Sequence, residues 1–141
     1  MKIGYTTGVF DLFHVGHVQL LRRAKALCDK LIVGVTVDEL VLYKGKKSVI
    51  PFEERLSVVE SCRFTDVVIP QRSINKVEAV KKLKADYLFV GDDWYNSDNW
   101  NKMEQGLAKI NCKVIYFPYH HGTSSTLINE ILNNLRVKQE R

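Results

Sequence analysis

The sequence predicts an α/β fold built on a five-stranded parallel Rossmann-like doubly wound sheet with helices on both faces. Short β-branched apolar runs alternate with longer segments whose apolar residues recur at helical spacing. The run from Lys30 to Val37 is apolar nearly throughout, which is typical of a strand buried on both faces. The 141 residues suffice for one core, so we expect a single domain over residues 1–141.

The first half of the chain supplies two strands and two helices. Lys2 to Thr7 is a short β-like run, and Val15 to Ala26 follows it with leucines at helical spacing. After the strand at Lys30 to Val37, residues 39–50 form the longest candidate loop, and a long loop is more often functional than idle. Pro51 to Cys62 is predicted to be a helix because proline suits a first helical turn.

The second half continues the same alternation. Strands are predicted at Asp66 to Pro70, Asp86 to Val90 and Lys113 to Pro118. Helices are predicted at Lys76 to Lys84, at Asp98 to Ile110, and at Ser124 to Leu135 with Ile128, Ile131, Leu132 and Leu135 facing inward. The charged tail over residues 137–141 is expected to fray.

Composition excludes several classes of protein. No apolar run approaches the ~18 residues of a membrane span. The three cysteines are far apart and form no CxxC pair, which disfavours a zinc ribbon and favours a cytoplasmic location. A net charge of +5 fits either nucleic acid or a polyphosphate pocket, but no stripe of basic and aromatic residues supports nucleic acid.

The residues after the first strand carry the strongest chemical signal, because ligands bind at the carboxyl ends of parallel strands. Gly8 allows a tight turn, and His14-Val15-Gly16-His17 opens the first helix. A helix N-terminus favours phosphate, and histidines three residues apart share one helical face. The pair therefore predicts hydrogen-bond donors directed at an anion, while zinc is disfavoured because no third ligand lies at a natural spacing.

This stretch resembles the HxGH nucleotidyltransferase superfamily, and most closely its small bacterial cytidylyltransferases, of which glycerol-3-phosphate cytidylyltransferase is the type. The resemblance covers nearly the whole chain. The matching segments occur in the family's order: Gly8 to His17, Asp38, Lys44 to Lys47, Arg55, Arg63 to Asp66, Gly91 to Trp94, and Gly122 to Thr126.

The resemblance implies a single nucleotidyltransferase domain that joins CTP to a phosphorylated small alcohol, glycerol 3-phosphate or similar, and releases pyrophosphate. The acceptor phosphate is already ionised, so positioning and charge stabilisation suffice. Mg²⁺ is expected to arrive with the nucleoside triphosphate, with no metal held by the protein alone. The family also implies a homodimer, and neither nucleic acid nor a membrane is an expected partner.

The resemblance assigns roles residue by residue. The expected catalytic residues are His14, His17, Lys44 and Arg63. The expected nucleotide-binding residues are Thr7, Gly8, Phe10, Asp11, Gly16, Lys46, Gly91, Asp92, Asp93, His121, Gly122, Ser124, Ser125 and Thr126. The expected acceptor-binding residues are Asp38, Arg55 and His120. The eight-residue separation of Arg55 and Arg63 suggests that one helical face carries both.

Two departures from the family pattern leave alternatives open. The family has Arg-Thr-Glu where this chain has Tyr119-His120-His121, and a tryptophan where this chain has residues 72–75. A histidine here either replaces the arginine charge or reads a different acceptor. The alternatives are an adenylyltransferase of the same fold, with flavin mononucleotide or a sugar phosphate as acceptor, and a nucleotide-binding module with weakened catalysis.

Overall fold

The computed structural model describes residues 1–91, 98–118 and 125–139. The strands are β1 (Ile3–Gly8), β2 (Lys30–Thr36), β3 (Val67–Gln71), β4 (Tyr87–Gly91) and β5 (Lys113–Phe117). The helices are α1 (Val15–Ala26), α2 (Asp38–Tyr43), α3 (Phe52–Glu60), α4 (Lys76–Leu83), α5 (Asp98–Lys109) and α6 (Ser125–Gln139).

The described strands form one parallel sheet in the order β3-β2-β1-β4-β5. The chain first builds outward from β1 to β3, and α4 then carries it back across the sheet to β4 on the other side of β1. This reversal opens a crevice beyond the carboxyl ends of β1 and β4, where doubly wound sheets bind ligands. The predicted fold class is confirmed.

Helices cover both faces of the sheet. One core cluster joins Val80 of α4 and Leu107 of α5 to Ile32 of β2. The other joins Leu21 of α1 and Val59 of α3 to the opposite face of the sheet. Residues of β2 enter both clusters, which confirms that this strand is buried on both sides.

The predicted loop over residues 39–50 is wrong in its first part, where α2 runs from Asp38 to Tyr43. Leu40 and Val41 are buried and anchor this short helix, while Asp38 and Glu39 suit the positive end of its dipole. The loop proper therefore starts at Lys44.

The inward face predicted for α6 is partly wrong. Ile128 and Leu132 are half-buried, but Ile131 and Leu135 are each 51% exposed. The helix continues to Gln139, so the tail expected to fray from residue 137 is helical up to that point. No helix in the described ranges is long and apolar enough to cross a membrane.

Candidate active site

A cavity of about 280 Å³ lies at the carboxyl end of β1, beside the start of α1. Six residues predicted to bind nucleotide or take part in catalysis line it together: Thr7, Gly8, Phe10, Asp11, His17 and Lys46. Five of them come from β1, the following turn and α1, and Lys46 joins them from the loop after α2. Asn129 of α6 also lines this cavity and was not predicted from the sequence.

The turn between β1 and α1 has an unusual backbone. Phe10 and Leu12 both have positive φ, 54° and 50°, a conformation that costs side-chain-bearing residues about 1 kcal/mol each. Phe10 is nonetheless buried, and its ring takes the space where a Cβ on Gly8 would lie, 2.9 Å from a ring carbon. Gly8 is thus required by the Phe10 ring, whereas the positive φ angles of the turn fall on Phe10 and Leu12.

His14 and His17 cap the first turn of α1 reciprocally. His14 Nδ1 accepts the backbone N–H of Gly16 at 3.0 Å, and His17 Nδ1 accepts the backbone N–H of His14 at 3.1 Å. The ring centroids are 4.0 Å apart. Because Nδ1 is the acceptor in each ring, Nε2 carries the proton in the neutral form and is the donor. Gly16, predicted to bind nucleotide, thus orients His14 through its N–H.

The His17 imidazole is neutral at physiological pH. Burial, reinforced by His14 and opposed by Asp11, lowers the pKa of His17 to about 4. Phe10 and Phe13 hold the ring, with centroid distances of 5.4 Å and 5.3 Å. The site therefore contains an oriented neutral N–H donor that needs little rearrangement to meet an anion.

Asp11, predicted to bind nucleotide, holds the loop that carries Lys46. Its two carboxylate oxygens accept the backbone N–H groups of Val49 at 2.8 Å and Ile50 at 2.9 Å. The side chain is buried, so these amides neutralise part of a charge that would otherwise repel phosphate. Asp11 therefore lines the cavity but acts mainly as a positioning residue.

Arg55 and Asp38, predicted to bind the acceptor, are joined to each other and to the backbone around the loop that carries Lys46. Arg55 is 1% exposed and donates to the carbonyls of Ile50, Val9 and Thr36 at 2.7 to 2.8 Å. Its Nη2 donates to Asp38 Oδ1 at 2.6 Å. All three guanidinium nitrogens are thus used inside the protein, where they satisfy three backbone carbonyls and one carboxylate oxygen.

Asp38 completes the same framework. It also accepts from the Ser48 hydroxyl and the Phe52 N–H, both at 3.2 Å. Burial raises the pKa of this carboxyl, but the hydrogen bonds from Arg55 and Phe52 outweigh burial and hold the pKa below its usual value. Residues 44–50 form the lysine loop, and it is held by Arg55, Asp38 and Asp11 together.

Three lysines approach one another at this edge of the sheet. Burial and the neighbouring Lys46 lower the pKa of Lys44. Burial and Lys44 lower the pKa of Lys76 to about 8, and its ammonium lies 5.1 Å from the centroid of the Trp100 ring. Lys76 was not predicted from the sequence. It is the first residue of α4, directly after the Asn75 cap, and so lies at the edge of the sheet where ligands bind.

Arg63, predicted to be catalytic, follows the end of α3 and is not among the residues that line the cavity. The following Asp66 pairs with Leu31, at the amino end of β2. Arg63 is exposed, with its guanidinium 5.2 Å from the centroid of the Phe64 ring.

The remaining predicted residues are only partly described. Gly91 ends β4, next to Phe117 of β5, and Ser125 and Thr126 begin α6. The others lie outside the described residues: Asp92, Asp93, His120, His121, Gly122 and Ser124. Within the described ranges no three His, Cys, Asp or Glu side chains come together as metal ligands.

Comparison with known proteins agrees with this geometry. The family model described as cytidylyltransferase-like matches residues 5–134. The glycerol-3-phosphate cytidylyltransferase of Bacillus spizizenii is 40% identical over 136 residues, which cover 96% of this chain and 100% of that protein. The FAD synthase of Archaeoglobus fulgidus is 37% identical over 77% of this chain and 79% of its own length.

A solved structure shares the fold. The lipopolysaccharide core biosynthesis protein of Thermoplasma volcanium superimposes with a TM-score of 0.72 at 25% identity, covering 87% of this chain and 99% of that one. The family model spans nearly the whole chain, and the bacterial relative matches it end to end. The chain is therefore a nucleotidyltransferase that belongs to the cytidylyltransferase-like family.

Proposed function

We propose that the protein transfers the cytidylyl group of CTP to glycerol 3-phosphate or a similar phosphorylated small alcohol, with release of pyrophosphate. The observation that carries this proposal is the fixed pair of imidazoles at the start of α1, each with Nδ1 held by a backbone amide. The bacterial relatives that resemble the chain over their whole length are named for this reaction.

The reaction needs no proton transfer. An oxygen of the acceptor phosphate forms a bond to the α-phosphorus of CTP, and the bond between that phosphorus and the bridging oxygen to the β-phosphate breaks. Pyrophosphate leaves with the electron pair. Negative charge accumulates on the non-bridging oxygens, so catalysis depends on donors held where that charge develops.

His14 and His17 are the donors best placed for that charge. With Nδ1 occupied, each ring directs an Nε2–H away from the helix backbone. The depressed pKa of His17 keeps it a neutral donor before CTP binds. The N-terminal amides of α1 and Lys46 add positive potential around the same cavity.

Lys44 and Lys76 are proposed to hold the acceptor phosphate. Lys44 contributes to the lowered pKa of Lys76, and two like charges are stabilised when a dianion binds between them. Residues 122–126 are proposed to bind the β- and γ-phosphates at the start of α6, as the family resemblance implies. Mg²⁺ is proposed to arrive with the triphosphate and neutralise part of its charge, and the active species is proposed to be a homodimer.

Adenylyl transfer to flavin mononucleotide is the second candidate function. It is favoured by the similarity to FAD synthases, which reaches 37% identity. The bacterial relatives cover more of the chain and are at least as similar, so cytidylyl transfer is preferred.

Pyrophosphate release tests both candidates. The purified protein is incubated with Mg²⁺ and either CTP or ATP, together with glycerol 3-phosphate or flavin mononucleotide. We expect release with CTP and glycerol 3-phosphate, and its loss in His17→Asn. Release only with ATP and flavin mononucleotide would replace the proposal with the second candidate.

A further inference from the structure

A second cavity, of about 250 Å³, lies between β3 and α4 on the face of the sheet opposite α1. Its polar lining includes Tyr5, Gln71, Ser73, Asn75 and Lys76. Two of these side chains are buried, Tyr5 at 1% exposure and Gln71 at 5%. The catalytic arrangement described above does not use Tyr5 or Gln71.

The Tyr5 hydroxyl points to a ligand. The Tyr5 side chain lines the cavity, and no hydrogen bond joins its hydroxyl to a residue in the described ranges, so the hydroxyl is open to a ligand there. Burial raises the pKa of Tyr5 to about 12, so the hydroxyl stays protonated and can both donate and accept. Gly34 of β2 makes room for it, because a Cβ there would lie 2.6 Å from Tyr5 Oη.

Gln71 is fixed in one orientation at the side of this cavity. Its Oε1 accepts from the Thr36 hydroxyl at 2.6 Å, and its Nε2 donates to the Ser73 carbonyl at 3.2 Å. The second Nε2 hydrogen is left for another acceptor. An amide donor and a phenol in one cavity suit a ligand that carries several hydroxyl groups.

Lys76 connects this cavity to the active site. It lines the cavity and is also close enough to Lys44 for the two charges to interact. A phosphate held between these lysines would therefore stand at the entrance of the cavity. The volume equals that of roughly eight water molecules in the liquid, more than a three-carbon glycerol chain fills.

We propose that the cavity between β3 and α4 binds the hydroxylated carbon chain of the acceptor, with Tyr5 Oη as a specificity-determining hydrogen-bonding group. This inference rests on the proposed cytidylyl transfer and adds the side chains that recognise the hydroxyl groups of the acceptor. The phosphate lies at the Lys76 end, and the chain extends toward Gln71 and Tyr5.

Tyr5→Phe tests the proposal with almost no change in volume. Initial rates are measured with CTP and either glycerol 3-phosphate or ribitol 5-phosphate, and the binding of each polyol phosphate is measured by calorimetry. We expect the KM for the polyol phosphates to rise about tenfold, the value of one ordinary hydrogen bond, with the KM for CTP unchanged. Acceptor KM values within twofold of wild type would overturn the proposal.

A second test uses one variant that blocks the cavity without altering the core and one matched control. Glu78 lies on the exposed side of α4 and lines the cavity, so Glu78→Trp should raise the acceptor KM more than tenfold. Glu60→Trp at the end of α3 is the matched control and should leave the acceptor KM unchanged. An equal effect of both variants would also overturn the proposal.

Binding separates this inference from the proposed function. Tyr5-dependent binding of ribitol 5-phosphate without turnover would support the cavity and reject cytidylyl transfer. Turnover of glycerol 3-phosphate with the same KM in wild type and Tyr5→Phe would support cytidylyl transfer and reject the role of the cavity in acceptor binding. Absence of both binding and turnover would reject both.

Discussion

Asp11 holds the backbone N–H of Ile50 at 2.9 Å, so the turn that starts α1 also fixes the end of the lysine loop. The second carboxylate oxygen holds the neighbouring Val49. These bonds fix the position of the loop that carries Lys46 relative to the histidine pair, although α1, β2 and α2 lie between them in sequence. Binding of the triphosphate therefore depends on a carboxylate that need not touch it.

Asp11→Asn is expected to loosen this loop. The amide replaces one accepting oxygen with a donor, which then faces a backbone N–H and costs about 1–3 kcal/mol of stability. We expect a lower urea midpoint and faster tryptic cleavage at residues 44–47. The KM for CTP should rise more than the KM for the acceptor. Unchanged cleavage at the loop would contradict the positioning role.

Arg55→Met is expected to destabilise the fold by about 1–3 kcal/mol, because it leaves the carbonyls of Val9 and Thr36 without this donor and Asp38 without its ion-pair partner. Arg55→Lys should not restore stability, since one ammonium cannot reach four acceptors held by three nitrogens. Urea denaturation measures both variants. If Arg55 instead bound the acceptor, both variants would stay as stable as wild type and only the acceptor KM would change.

His17→Asn is expected to lower kcat by about 10² to 10³ while the protein stays folded. Asparagine Oδ1 can still accept the His14 N–H, so the helix cap is preserved and only the Nε2–H donor is lost. Steady-state kinetics and thermal unfolding separate the two effects. His17→Gln places an amide N–H near the position of Nε2 and should recover part of the rate. A kcat near wild type in His17→Asn would exclude a donor role.

The pKa of His17 also predicts how stability depends on pH. The folded-state pKa of about 4 lies below the unfolded value near 6.5, so the unfolded chain binds the extra proton first. The contribution of His17 is full above pH 6.5 and falls by about 2 kcal/mol as the pH drops toward 4. Urea midpoints of wild type and His17→Asn should converge over that range. Parallel curves would show that the ring is not buried in the neutral form.

The sequence predicted the fold better than the roles of its charged residues. Strand and helix periodicity follows from which side chains are apolar, and the buried run of β2 was evident from KLIVGVTV alone. The role of Arg55 depends on where the carbonyls of Val9, Thr36 and Ile50 meet, and those positions follow only from the packed loops. Lys76 was missed because its neighbour Lys44 lies 32 positions earlier in the sequence and approaches it only through the sheet topology.

Lys76→Arg is expected to change the pH dependence of acceptor binding. Burial and Lys44 lower the pKa of Lys76 to about 8, so this ammonium loses its proton as the pH rises from 7 to 9. The acceptor phosphate is already a dianion there, so the acceptor KM of wild type should rise about tenfold. Arginine keeps its charge over this range, and the KM of Lys76→Arg should stay flat. The measurement is the acceptor KM at half-unit pH steps with saturating CTP. An equal rise in the variant would mean that Lys76 does not contact the phosphate.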